Sequence, residues 1–114
     1  MTSDCLFCRI AAGEIPAEIV GEDEKWIAFR DIQPQAPVHV LVIPRVHVES
    51  AADLELDPEL SGELLRAAAV VARNEGLEQD GFRIVSNVGE RSGQSVMHLH
   101  FHVLGGRRMH WPPG

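Results

Sequence analysis

His98-Leu99-His100-Phe101-His102-Val103-Leu104 alternates imidazole and apolar side chains. On an extended strand successive side chains point to opposite faces. His98, His100 and His102 then line one face, and Leu99, Phe101 and Val103 cover the other. Half of the chain's six histidines fall in this short run. A strand rises about 3.3 Å per residue, so alternate residues stand roughly 6.6 Å apart and the outer pair roughly 13 Å. Zinc–nitrogen bonds are about 2.1 Å, so one ion takes two neighbours of the three but hardly all. At least one imidazole is left for other chemistry. A solvated strand face would account for the alternation but not for histidine chosen three times, and a reactive site accounts for both.

The rest of the chain reads outward from this strand as α+β. Gly89–Ser95 is a Gly/Ser loop leading into it, and Phe82–Asn87 is a strand before that loop. Val38-His39-Val40-Leu41-Val42-Ile43 is an apolar strand closed by Pro44, with His39 its one polar intruder. Glu18–Gly21 and Trp26–Arg30 flank the charged turn Glu22-Asp23-Glu24-Lys25. Ile32–Pro37 is a loop. The long helix is expected near Asp57–Glu75, with Asp57 as N-cap, Pro58 at the first helical position and Gly76 just past its end. Leu60, Leu64, Ala68 and Val71 recur at helical spacing and supply its apolar stripe. A short helix runs from a cap at Asp4 to about Ala12 and Gly13. Short connections permit antiparallel pairing, which gives an antiparallel sheet of about five strands with one long and one short helix. No repeat, linker or second domain is visible, so residues 1–114 read as one domain.

Composition narrows the function. The net charge is −7, which argues against a binder of nucleic-acid backbone, because such proteins carry a basic footprint. A small anion remains compatible, since local donors override an acidic average. No apolar run approaches the ~20 residues of a membrane span. Met1-Thr2-Ser3-Asp4 has neither a basic nor a long apolar leader region, so a cytoplasmic location is expected by default.

The residues before the histidines suit an anion. In Ser92-Gly93-Gln94-Ser95-Val96 the small side chains let backbone N–H groups approach a phosphate, and Ser95 adds a hydroxyl. Alone such a loop reads as a turn; beside three histidines it reads as a phosphate cradle. Imidazole, with an ordinary pKa near 6.5, is largely neutral and nucleophilic at pH 7. Its attack on phosphorus divides one hard displacement into two easier ones.

The histidine run resembles the signature of the histidine triad (HIT) superfamily of nucleotide hydrolases and transferases. The likeness covers nearly the whole chain. It includes Asp31-Ile32-Gln33-Pro34-Gln35-Ala36-Pro37-Val38-His39-Val40-Leu41-Val42-Ile43-Pro44 and Gly93-Gln94-Ser95-Val96. The ending Leu104-Gly105-Gly106-Arg107-Arg108-Met109-His110-Trp111-Pro112-Pro113-Gly114 is similar to the histidine triad nucleotide-binding (Hint) branch. The resemblance implies that His100 is the nucleophile toward an α-phosphorus. It implies that His102 and Ser95 hold the phosphate and leaving group, and that His39 joins a proton relay. Asn87, Gly93, Gln94 and Val96 would add phosphate contacts. Asp31 would bind ribose hydroxyls, with Phe29 and Ile32 beside sugar and base. Trp111 would shape the leaving-group side of a neighbouring subunit's site. Without the resemblance, Asp31 reads equally as a turn residue, Trp111 as a packing plug and His39 as a core histidine.

Cys5-Leu6-Phe7-Cys8 places two thiols on one face of the short helix. The residues themselves leave three readings, half of a metal site, a pair of small buried hydrophobes, or a redox pair, the last disfavoured because no strand precedes it. The resemblance supplies His47 and His98 as the further ligands of a structural zinc that catalysis does not require. The expected activity is hydrolysis of purine nucleoside 5′-monophosphoramidates and acyl adenylates through a nucleotidyl-histidine, by a homodimer. The alternatives are a dinucleoside polyphosphate hydrolase, a nucleotide-binding or scaffolding module, and a zinc hydrolase using His98 and His100 as ligands.

Overall fold

A computed structural model describes residues 4–114. Met1-Thr2-Ser3, part of the leader reading above, lies outside the described residues. The strands are β1 (Ile19–Glu22), β2 (Trp26–Arg30), β3 (Val38–Pro44), β4 (Phe82–Val85) and β5 (Phe101–Gly105). They form one antiparallel sheet in the order β1-β2-β3-β5-β4. The expectation of an α+β fold with five antiparallel strands holds. The last strand inserts between β3 and β4, so the histidine segment occupies an interior position.

Two helices cover opposite faces. α2 (Pro58–Asn74) starts where Asp57 accepts a hydrogen bond from the Leu60 N–H at 3.0 Å, with proline in the first turn. It stops at Gly76, whose φ of +78° continues no helix. Its buried face is Leu64, Ala67, Ala68, Val71 and Ala72, and the alanines let the helix lie close to the sheet. That face meets Ala28, Val40, Val42, Leu99, Phe101 and Val103 in the larger core. Full burial of Leu64 alone contributes about 2 kcal/mol by apolar transfer. On the opposite face α1 (Leu6–Ala11) packs Phe7 and Ile10 against Ile27, Phe29, Leu41 and Ile43. β2 and β3 are thus buried on both sides, which explains their near-continuous apolar sequence.

Several boundaries differ from expectation. The regular ladder of β5 begins at Phe101, so His98 and His100 lie in the segment that leads into it. The alternation of faces nevertheless holds, because Leu99 is in the larger core with Phe101 and Val103. Cys5, not Asp4, caps α1, its sulfur accepting from the Cys8 N–H at 3.4 Å. β4 stops at Val85, where the Gly/Ser loop leaves the sheet, and Asn87 lies beyond it. Two short 3₁₀ turns, Ala51–Leu56 and Glu90–Ser92, carry no periodicity that would have marked them.

Candidate active site and metal centre

The register of β3 on β5 sets Leu41 opposite His102 and His39 opposite Leu104. His39 and His102 are therefore diagonal neighbours on one face. His39 Nε2 and His102 Nδ1 lie 2.8 Å apart. The Gln35 N–H donates to His39 Nδ1 at 3.0 Å, so the neutral ring carries its proton on Nε2. That proton is donated to His102 Nδ1, which leaves the His102 proton on Nε2. Asp31 Oδ2 stands 3.4 Å from His39 Nε2.

His100 is fixed differently. Its Nδ1–H donates to the carbonyl of His98 at 2.8 Å, which leaves Nε2 with a free lone pair. The Ser86 hydroxyl donates to the carbonyl of His100 at 2.9 Å and ties its backbone down. The His100 and His102 rings lie 5.0 Å apart at 61°. Both line a cleft of about 390 Å³. A lone pair and an N–H donor thus sit side by side on its floor.

The same cleft is lined by Phe29, Asp31, Ile32, Ser95 and Val96, all singled out from the sequence. Ile32 is 94% exposed, an apolar side chain held out at the rim where a ligand would cover it. Asn87, Gly93, Gln94 and Trp111 do not line the cleft. Gln94 spends its side chain internally, accepting from the Gly89 N–H and donating to the carbonyls of Glu49 and Val96. Its backbone N–H is spent as well, donating to the Gly89 carbonyl at 3.1 Å. Trp111 is 81% exposed, with the Arg83 guanidinium 5.9 Å from its ring. Sequence reasoning missed Leu6, Phe7 and Ile10 as cleft residues, because apolar positions on a short helix look like core. It also missed Ser86 and the Gln35 N–H, whose roles depend on backbone geometry.

Burial dominates the electrostatics. It pushes the His102 imidazolium down from 6.5 to about 4, assisted by the neighbouring His100 and His39 and opposed by Asp31. Burial also lowers His39, again opposed by Asp31.

A second cluster lies beside the first. Cys5 Sγ and Cys8 Sγ are 3.3 Å and 3.4 Å from His98 Nδ1, and Cys8 Sγ is 3.3 Å from His47 Nδ1. The four candidate ligand atoms lie within 4.8 Å of one another. Bond lengths of about 2.3 Å to sulfur and 2.1 Å to nitrogen put tetrahedral ligands about 3.6 Å apart, close to these spacings. His98 Nε2–H donates to the carbonyl of Pro44 at 2.9 Å, freeing Nδ1 as a ligand. The donor set and its outer contact fit zinc.

Asp31, His39 and His102 are equally close together but are wired against an ion. His39 Nδ1 must keep its lone pair for the Gln35 N–H, so Nε2 carries hydrogen and cannot ligate.

The comparisons agree with this architecture. The HIT domain family matches residues 12–109. A "14 kDa zinc-binding protein" from Zea mays is 52% identical over 115 residues, covering 98% of this chain and 89% of that protein. "Adenylylsulfatase HINT1" from Arabidopsis thaliana is 48% identical over 117 residues, covering 98% of this chain and 78% of that protein. The crystal structure of a HIT family hydrolase from Legionella pneumophila superposes with a TM-score of 0.93 at 52% identity, covering 96% of this chain and 99% of that one. The fold, the histidine segment and these relatives agree, and the chain belongs to the HIT family, in its Hint-type branch.

Proposed function

We propose that the protein is a purine nucleoside phosphoramidase that works through a nucleotidyl-His100 intermediate. One observation carries the reading. The His100 Nδ1–H is committed to the His98 carbonyl, so the Nε2 lone pair faces a cleft that His102 and Ser95 also line. Attack by Nε2 forms a P–N bond to His100 and breaks the bond from phosphorus to the leaving amine. The amine departs with a proton, for which the His102 Nε2 edge is the nearest donor. His102 is neutral in the free protein, and a bound phosphate anion beside it favours its protonation. The His39–His102 pair then carries one added proton, passes it from His102 Nε2 to the amine, and is left neutral with its 2.8 Å hydrogen bond in place. Water then attacks phosphorus and gives its proton to the same histidine pair as the P–N bond to His100 breaks, releasing the nucleoside monophosphate and restoring His100.

Asp31 and Ile32 at the rim support a ribose and base there, with Phe29 behind them. Zinc, when bound by Cys5, Cys8, His47 and His98, supplies a closed structural crosslink with no open position for substrate. A homodimer is part of the same proposal. β4 is an edge strand whose Phe82 and Ile84 are exposed, and an unpaired edge invites a second sheet. Trp111, bare in one subunit, would then reach a neighbouring site.

The test is mass spectrometry of enzyme quenched during turnover of an adenosine phosphoramidate. The expected result is an adenylyl adduct on His100, absent in His100→Asn, with turnover lost by about a thousandfold or more and nucleotide binding retained. An active His100→Asn enzyme would overturn the reading. The "Adenylylsulfatase HINT1" relative makes adenylyl sulfate the second substrate to assay, since it offers the same adenylyl group with a different leaving group. Diadenosine polyphosphates separate both from the polyphosphate hydrolases.

A further inference from the structure

The cleft and the Cys/His cluster share a wall. Between Cys5 and Cys8, Phe7 turns its ring inward and is only 5% exposed. Its centroid lies 5.1 Å from that of His100 with the planes at 86°, and 5.9 Å from that of His98 at 73°. Leu6, Phe7 and Ile10 face the cleft, while the sulfurs on the same short segment face His98 and His47. His98 serves both sides as well. Its ring meets the thiols, and its carbonyl accepts the His100 Nδ1–H. Besides its contact with His102, the orientation of His100 therefore depends on one ring contact and one hydrogen bond. Both come from residues inside the cluster or directly between its ligands.

α1 is poorly equipped to hold this arrangement unaided. A helix of six residues has almost no stability of its own in water. Its apolar grip is on the smaller of the two cores. An ion shared by Cys5, Cys8, His47 and His98 would lock α1 to the loop after β3 and to the segment entering β5. Leu6, Ser95 and Val96 line both the cleft and a groove that reaches Cys5 and His47. Any shift of α1 would thus be felt at the anion-binding side too.

We propose that Phe7 is a positioning residue for His100, and that the Cys/His cluster is the clamp that keeps Phe7 and the His98 carbonyl in place. With the clamp closed, His100 keeps one tautomer and Nε2 stays aimed into the cleft. With the clamp open, the sheet remains folded but the ring samples both tautomers and other rotamers. The consequence for turnover rests on His100 being the nucleophile. The structural part needs no substrate.

The experiment uses the full chain, zinc-loaded and stripped with a chelator, together with Phe7→Leu and Phe7→Ala. Nitrogen NMR of the imidazoles reads the His100 tautomer directly. The loaded protein is expected to show a single Nδ1–H form. The stripped protein and Phe7→Ala are expected to show a mixture, with Phe7→Leu between them. Returning zinc should restore the unsubstituted chain and leave Phe7→Ala mixed. Adduct formation per folded molecule should fall roughly 10- to 100-fold in Phe7→Ala, in kcat more than in KM, as expected for misplacement of a reacting group. A merely structural Phe7 would lower thermal stability and leave the tautomer and the rate per folded molecule unchanged, and that result overturns the proposal. Should Phe7→Ala fail to fold, Phe7→Leu and the stripped protein decide it. A tautomer change on stripping with no adduct from any substrate would defeat the phosphoramidase reading and sustain this one.

Discussion

His39 Nε2 donates a 2.8 Å hydrogen bond to His102 Nδ1, joining β3 to β5 through one buried and one half-buried neutral ring. The bond requires His102 to be unprotonated at Nδ1, and burial enforces this by lowering its pKa from 6.5 to about 4.

A pH dependence of stability follows from that shift. Between about 4 and 6.5 the unfolded chain binds a proton at His102 that the folded protein refuses. Stability therefore rises with pH through this window. The contribution is fully present above 6.5 and lost as pH falls through 4. Burial lowers His39 in the same direction and adds to the slope. Urea midpoints measured across the window should fall toward acid, and His102→Asn should flatten the profile. An unchanged slope in that variant would count against this account.

Removal of a zinc ion bound at the Cys5, Cys8, His47 and His98 cluster should cost stability. A ligand that binds only the folded state at 100 times its Kd stabilises by about 2.7 kcal/mol. For a domain of this size that is about 10 °C in Tm. A chelator should lower Tm by that order in the unsubstituted chain and have no effect on Cys8→Ser. A fall of equal size in both proteins would show that the chelator acts elsewhere.

Gly106 has φ +90° and lies against Pro37, whose Cβ would be 2.9 Å from an added Cβ. Backbone strain and the clash act together, because a rigid proline ring cannot step aside. Gly106→Ala should destabilise by about 2 kcal/mol, read as a lower urea midpoint at unchanged m. The turn carries Arg107, which donates from Nε and Nη2 to the carbonyl of Gln35. The substitution should thus also disturb the loop that presents its N–H to His39.

Asp57 caps α2 through its hydrogen bond to the Leu60 N–H. Asp57→Ala should cost about 1 kcal/mol, and Asp57→Asn or Asp57→Ser should recover most of it. Thermal unfolding of the series checks the order. An alanine variant as stable as the parent would mean that the adjoining 3₁₀ turn already satisfies the helix end.

Local pattern made much of this protein legible before any coordinates. The alternation 98–104 marked a two-faced segment, of which the part from Phe101 is strand β5, and Asp57-Pro58 with Gly76 bounded the long helix within a residue at each end. Both signals act over a few residues, where period and capping chemistry are written directly in side chains. Resemblance named His100, His102, Asp31 and Ser95, and all four line one cleft. Asn87, Gly93, Gln94 and Trp111 carry the same kind of resemblance but do not line that cleft in a single subunit.

What only the tertiary structure decided is which nitrogen of each histidine is free. His100 is directed by the carbonyl of His98, His98 by that of Pro44 and His39 by the N–H of Gln35. Those partners are backbone atoms, identical in every sequence, and they acquire direction only when the chain packs. The spacing in the sequence left open whether a metal takes part of the histidine run. The packed structure divides the labour, turning one imidazole toward two thiols and the next toward open space.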